Sequence, residues 1–208
     1  MTAGAPRPSF LGRLLGRQPR PVRIPVIQVE VTSRCFLSCT FCPNKVVGPA
    51  WQQGDMSWET WHDHIEPALK HFDLVYLQGW GEPLLHPRIF DMVAAVKAAG
   101  CRAGFTTCGG LLDPDRRQRL LQAGIDILGV SFAGATRAVH ERLRHGSHFD
   151  ILADSVACLA EERRRNAQKL WLEMHFLMMR DNIHELPLFV ELAAELGADE
   201  AVATNLSY

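Results

Sequence analysis

Six short apolar segments recur along the chain: Val26–Thr32, Leu74–Gln78, Arg102–Thr107, Ile127–Phe132, Leu170–Met178 and Glu200–Leu206, each bounded by Gly, Pro, Asp or Ser. Bounded runs of this length predict strands. Helix-like stretches separate them: Ser57–Phe72, Pro87–Ala99, Pro114–Ala123, Thr136–Arg144 with Ile151–Arg164, and His184–Leu196. Ser57 and Asp113 stand where N-caps belong, and Gly100, Gly124 and Gly197 follow the last apolar residues of their helices as stops. No hairpin signal joins any two strands, so they are expected to run parallel. Right-handed crossovers then curl them into an α/β fold, a partial (β/α)6 TIM-like barrel of parallel strands.

Residues 1–25 differ in kind. Arg7, Arg13, Arg17, Arg20 and Arg23 alternate with Pro6, Pro8, Pro19, Pro21 and Pro25, and no acidic residue precedes Glu30. This composition predicts a flexible basic arm ahead of a core domain at 26–208. Tyr208 follows the sixth strand with no helix after it. That strand is left to be covered by a further segment, a partner or the arm. The formal net charge is −1, so no global field recruits nucleic acid. No apolar run reaches the length of a membrane span. The start of the chain also lacks the apolar stretch of a signal peptide, which makes a cytoplasmic location the expectation. There, clustered cysteines hold metal or do redox work more often than they form disulfides.

Three of the six cysteines are clustered. Cys35-Phe-Leu-Ser-Cys39-Thr-Phe-Cys42, followed by Pro43, lies on the loop after the first strand, on the face where parallel barrels carry their chemistry. Three thiolates on one loop can wrap a compact metal centre and leave one position unfilled. A [4Fe–4S] cluster normally takes four cysteines, so three make a site with one open iron or one completed from elsewhere. A zinc site needs a fourth ligand, and the nearest histidines, His62 and His64, are some twenty residues on.

The motif Cys-x3-Cys-x-Phe-Cys resembles the cluster motif of the radical S-adenosylmethionine (SAM) enzymes. Gly79-Trp80-Gly81-Glu82-Pro83, after the second strand, is similar to that family's Gly-Gly-Glu-Pro motif, with Trp80 in the place of a glycine. Thr106-Thr107-Cys108-Gly109 resembles its Thr-Thr-Asn-Gly. Ser131-Phe132-Ala133-Gly134-Ala135-Thr136, followed by His140-Glu141-Arg142-Leu143-Arg144, resembles a run of its peptide and cofactor maturases. Ala133 stands where aspartate is common. Many such relatives also carry a cysteine-rich C-terminal extension, and nothing of it is seen here.

The resemblance implies a [4Fe–4S] cluster on Cys35, Cys39 and Cys42, with SAM at the open iron. One electron then cleaves SAM, and a 5′-deoxyadenosyl radical abstracts hydrogen from a peptide, protein or small-molecule cofactor precursor. The electron comes from a reductant protein such as a flavodoxin or ferredoxin. It implies further that backbone carbonyls of Gly79, Trp80, Gly81, Glu82 and Pro83 receive the SAM amino group, with Glu82 bracing the loop. Ser131 contacts the ribose or carboxylate, Arg180 pairs with the carboxylate, and Asn205 approaches the adenine. The competing reading is a non-enzymatic iron–sulfur or zinc module for binding or electron transfer.

Period-two reading of the strands adds candidates. On the fifth strand Leu172, Met174, Phe176 and Met178 should meet the helices, leaving Trp171, Glu173, His175 and Leu177 toward the lumen. A buried carboxylate and imidazole must be paired or used. The first strand turns Gln28, Glu30 and Thr32 inward, and the fourth Gly129 and Ser131. Of the remaining cysteines, Cys101 and Cys158 read as packing residues. Cys108 sits at the active end, as a ligand, a redox thiol or a plain substitution.

Overall fold

The computed structural model describes residues 23–205. Eight strands are formed: β1 Ile24–Gln28, β2 Ser38–Cys39, β3 Phe72–Tyr76, β4 Arg102–Thr107, β5 Ile127–Phe132, β6 Arg144–His145, β7 Trp171–Met178 and β8 Glu200–Asn205. Six of them make one sheet in the order β1-β3-β4-β5-β7-β8, every pair parallel. The crossovers carry helices, among them α1 Pro43–Val47, α2 Trp58–Thr60, α3 Ile89–Ala98, α4 Pro114–Ala123, α5 Arg137–Leu143, α6 Phe149–Arg165 and α7 Leu186–Glu195. The sheet curls into a half-barrel, as the strand and helix alternation predicts. No helix among the described residues is long and apolar enough to cross a membrane.

Local chemistry sets the element ends. The Ser57 hydroxyl accepts from the Thr60 N–H, and the Asp113 carboxylate from the Arg116 N–H, so both N-caps form as expected. Gly124 closes α4 with φ +76°, a left-handed backbone that L side chains resist. The core lies between the sheet's outer face and the helices. Phe105, Phe132, Phe176 and Phe189 are fully buried there, each worth about 1.5–3 kcal/mol of transfer free energy. Phe176 and Phe189 join β7 to α7 with ring centroids 4.8 Å apart.

Four expectations change. Ser57–Phe72 is not one helix: α2 passes into a π-helical turn at Trp61–Ile65 and a 3₁₀ segment at Glu66–His71. Pro67 lacks an N–H and its ring obstructs the preceding turn, so an α ladder cannot run through it. The arm boundary also moves. Ile24 and Pro25 belong to β1, and the Arg23 guanidinium is bonded to the Phe72 carbonyl and pairs with Asp73; the arm's residues 1–22 lie outside the described residues. Thr32 does not join the lumen, because its hydroxyl donates to Asp55 at 2.7 Å and its backbone bridges to the same residue. Cys158 is exposed. α6 buries Leu152, Val156 and Leu159, and Cys158, one residue before Leu159, is turned about 100° away from that stripe.

Cys101 does pack as expected. It is 3% exposed, and its thiol donates to the Leu69 and Phe72 carbonyls. None of the six cysteines is in a disulfide.

Candidate functional site

The C-terminal ends of the strands converge on a cavity of about 380 Å³, within the range of small-molecule sites. Cys35, Cys39 and Cys42 line it, with Gly79, Trp80, Gly81, Glu82, Thr106, Thr107, Cys108, Ser131, Arg144 and Asn205. Of the expected site residues, Pro83 is buried next to Glu82 and Arg180 is exposed on the turn after β7, away from its lining. Arg144 is the arginine that lines it.

The cysteine loop is held by a contact far away in sequence. β2 pairs antiparallel with β6, setting Cys39 against Arg144 and Ser38 against His145. The Thr40 N–H donates to the Leu143 carbonyl at 2.9 Å. Cys42 is the N-cap of α1, with Pro43 at the first helical position, where its missing N–H costs nothing. Leu37, Cys39 and Cys108 pack as a small buried cluster against Cys35, Phe41 and Cys42. Burial pushes the Cys35 thiol up to about 11, against an opposing backbone hydrogen bond from Leu37, with Glu82 and the neighbouring cysteines adding to the rise. Burial, then Glu82, raises Cys108 further.

The Gly79–Pro83 loop is fixed by close approach. A Cβ on Gly81 would lie 2.2 Å from the Thr32 carbonyl oxygen and 2.8 Å from that of Arg34, so only glycine lets the loop touch the chain leading into Cys35. The Glu82 N–H donates to the Arg34 carbonyl at 2.8 Å. The Glu82 side chain, 2% exposed, accepts three hydrogen bonds: from the Leu84 N–H at 3.0 Å, the Thr107 hydroxyl at 2.7 Å and the Cys108 N–H at 2.7 Å. The side chain ties its own turn to the end of β4, while the backbone N–H ties both to the chain leading into Cys35. Glu30 accepts from the Trp80 N–H at 2.6 Å and fills the space that a side chain at Gly79 would need.

Beyond β5, the turn at Ala133–Thr136 is secured by His140, from the maturase-like run, and by two residues that the sequence reading passed over. Glu185 accepts from the Ala135 and Thr136 N–H groups and the Thr136 hydroxyl. The Asn182 amide donates to the Ala133 and Leu177 carbonyls at 3.0 and 2.8 Å. His140 accepts from the Ala133 N–H through Nδ1 at 3.3 Å, which leaves Nε2–H to donate to Ser147 Oγ at 2.9 Å. Ala133 therefore serves this site through its backbone. The available signal was Asn182-x-x-Glu185 on the turn between the β7 strand and the largely apolar helix Leu186–Glu195.

Register places the lumen residues. Gly129 is opposite Glu173 and Ser131 opposite His175, and parallel partners share a face. His175 Nε2 and Glu173 Oε2 are 2.9 Å apart, so this pair is satisfied internally. A Cβ on Gly129 would meet His175 Nε2 at 2.7 Å; the glycine makes room for the ring. Burial, and then the Glu173 carboxylate, raises the Tyr76 phenol above its ordinary range.

Two observations bear on what the cavity can hold. Cys35, Cys39 and Cys42 bring three thiols to one wall of the cavity, one short of the four ligands of a structural zinc site. An iron–sulfur cluster is held by Cys thiolates, and three of them leave one iron without a protein ligand. The second observation is Arg144: Nε and Nη1 of its guanidinium are buried and have no hydrogen-bond partner, and the group lies 5.8 Å from the Phe41 ring centroid. Buried cationic donors left unpaired are costly, and at a cavity wall they fit an anionic ligand group. Donor set and orphaned cation both fit an iron–sulfur cluster with a carboxylate-bearing cofactor.

Fold and site together define a class: half-barrel proteins that gather a thiolate loop and a glycine-rich loop at the C-terminal ends of parallel strands. The chain belongs to the Radical SAM superfamily, whose family model matches residues 29–193. It is 28% identical over 185 residues to a tungsten-containing aldehyde ferredoxin oxidoreductase cofactor-modifying protein of Pyrococcus furiosus, covering 86% of this chain and 51% of that protein. It is 31% identical over 171 residues to a PqqA peptide cyclase of Ruegeria pomeroyi, covering 81% of this chain and 44% of that one. Among solved structures, Streptococcus suis SuiB bound to S-adenosylmethionine superposes with a TM-score of 0.74 at 15% identity, over 90% of this chain and 42% of SuiB. The chain thus spans about half the length of these relatives or less, and the SuiB likeness concerns the fold.

Proposed function

We propose that the chain is the catalytic core of a radical SAM enzyme that acts on a peptide, protein or cofactor precursor. Cys35, Cys39 and Cys42 would hold a [4Fe–4S] cluster, leaving one iron open to SAM. Reductive cleavage of SAM at such a centre supplies a 5′-deoxyadenosyl radical for hydrogen abstraction. The observation that carries the reading is the meeting, in one cavity, of three thiols with the orphaned guanidinium of Arg144. We assign the SAM carboxylate to Arg144, with Ser131 beside it, in preference to the exposed Arg180. The carbonyls of the Gly79–Pro83 loop, held by Glu82 and the close approach of Gly81, would receive the amino group, and Asn205 would border the adenine.

The names of the relatives support a maturation role: one is a peptide cyclase and one a cofactor-modifying protein. SuiB, similar in fold, has also been solved with a precursor peptide. A reductant protein such as a flavodoxin or ferredoxin would supply the electron. The test is anaerobic reconstitution with iron and sulfide, followed by electron paramagnetic resonance of the reduced protein with and without SAM. A [4Fe–4S] signal that SAM shifts is expected. A colourless zinc protein, or a cluster whose signal ignores SAM, would return the chain to the binding or electron-transfer reading.

A further inference from the structure

Beside the cofactor cavity lies a second one of about 290 Å³, lined by Gln28, Glu30, Gln78, Gly79 and Trp80. Gln78, Gly79 and Trp80 line both and form the wall between them. The groups facing this second space are one carboxylate, two carboxamides and an indole. Glu30 Oε1 accepts the Trp80 N–H, and no described group bonds Oε2. Gln78 Oε1 accepts from the Thr106 N–H, while its amide nitrogen is 3.4 Å from Gln28 Oε1. No Lys or Arg is among the lining residues. The Trp80 residue, in the place where the resemblance puts a glycine, is 53% exposed.

A carboxylate, amide oxygens and an uncovered indole face, with no cation among them, make a site for a cation. An anion would be repelled by Glu30. A purely apolar occupant would strip water from the carboxylate and return nothing. The contrast with the neighbouring cavity is direct, since there the unpaired atoms are Nε and Nη1 of the Arg144 guanidinium.

We propose that this second cavity is a substrate subsite for an ammonium or guanidinium group, the side chain of a lysine or arginine in a peptide substrate. Glu30 supplies the charge and Trp80 the aromatic face. The proposal rests on the reading of the adjoining cavity as the SAM site, because the shared wall puts the subsite's occupant next to the radical's source.

The probes are Nα-acetyl-lysine N-methylamide and its neutral isostere Nα-acetyl-norleucine N-methylamide, titrated into the reconstituted, SAM-saturated protein by tryptophan fluorescence and calorimetry. The lysine probe should bind about five-fold or more tighter, the size of a cation–π contact with a charge partner. In Glu30→Gln, which keeps an oxygen for the Trp80 N–H, the ratio should fall to near one. Trp80→Leu should reduce it as well. Gln28→Lys, which gives the cavity an ammonium of its own, should abolish lysine-probe binding, with circular dichroism verifying the fold. Equal binding of the two probes by the wild type, or unchanged selectivity in Glu30→Gln, overturns the proposal. So does a Glu30→Gln variant that loses SAM affinity when the wild type shows no lysine preference, since the charge then serves the cofactor. Failure of the wild type to bind SAM overturns instead the reading on which the proposal rests.

Discussion

Arg144 and His140 show how single side chains acquire meaning from partners that sequence spacing does not disclose. Both lie in the run that resembles the maturases, yet only the pairing of β6 with β2 brings the Arg144 guanidinium to the cysteines. If its unpaired donors meet the SAM carboxylate, Arg144→Ala should weaken SAM binding about ten-fold or more, measured by equilibrium dialysis. Arg180→Ala, at an exposed turn, should change it by less than about three-fold. His140 is completely buried, and burial, with the Arg144 charge adding, pushes its imidazole from 6.5 down to about 3. Its Nδ1 already accepts a backbone N–H, so a second proton would set donor against donor. Above pH 6.5 both folded and unfolded states are neutral and the contribution is complete. Between 6.5 and about 3 the unfolded chain takes up a proton that the folded one refuses, so stability falls as pH falls, by up to about 1.4 kcal/mol per unit. Urea melts across pH 4–8 should show that slope, and His140→Gln should flatten it.

At the scale of elements, the strand and helix order was legible because each unit is punctuated by its own caps and glycines. β4 and β5 have the expected limits, and β7 buries the expected face, Leu172, Met174 and Phe176. Illegible were the features set by contacts distant in sequence. β2 and β6 are two residues each and lie about a hundred positions apart, too short for any periodicity. The two glycines of the loop, Gly79 and Gly81, read as a motif, but only the fold gives the reason for Gly81, a carbonyl 2.2 Å from where its Cβ would be. Gly81→Ala should therefore destabilise the protein by about 1–3 kcal/mol, as overpacking does, and lower cluster content after reconstitution. Gly54→Ala, with nothing within 4 Å of its Cβ, should leave both within error. Glu82→Ala would strand two buried N–H groups and a hydroxyl, a loss of about 3 kcal/mol or more, visible in the urea midpoint.

At the scale of the molecule, six parallel strands joined by five helical crossovers supply a half-barrel whose two edge strands, β1 and β8, each pair on one side only among the described residues. The lumen carries its polar residues, Glu173, His175 and Tyr76, below the cavity built from the strand ends. This division, with core packing on the outer face and chemistry at the inner rim, is why the cysteines also divide. Cys35, Cys39 and Cys42 line the cavity on one loop, Cys108 lines it from just after β4 and packs against them, Cys101 seals the bottom, and Cys158 faces solvent. The central claim is that the three thiols and the Arg144 wall make one SAM-cleaving centre. Its most direct test is the release of 5′-deoxyadenosine when the anaerobically reconstituted protein is given SAM and dithionite. The account predicts 5′-deoxyadenosine from the wild type and none from Cys39→Ala, which should also lose the visible absorbance of the cluster. A wild type that binds the cluster yet releases no 5′-deoxyadenosine, or a Cys39→Ala variant that keeps the cluster, would contradict it.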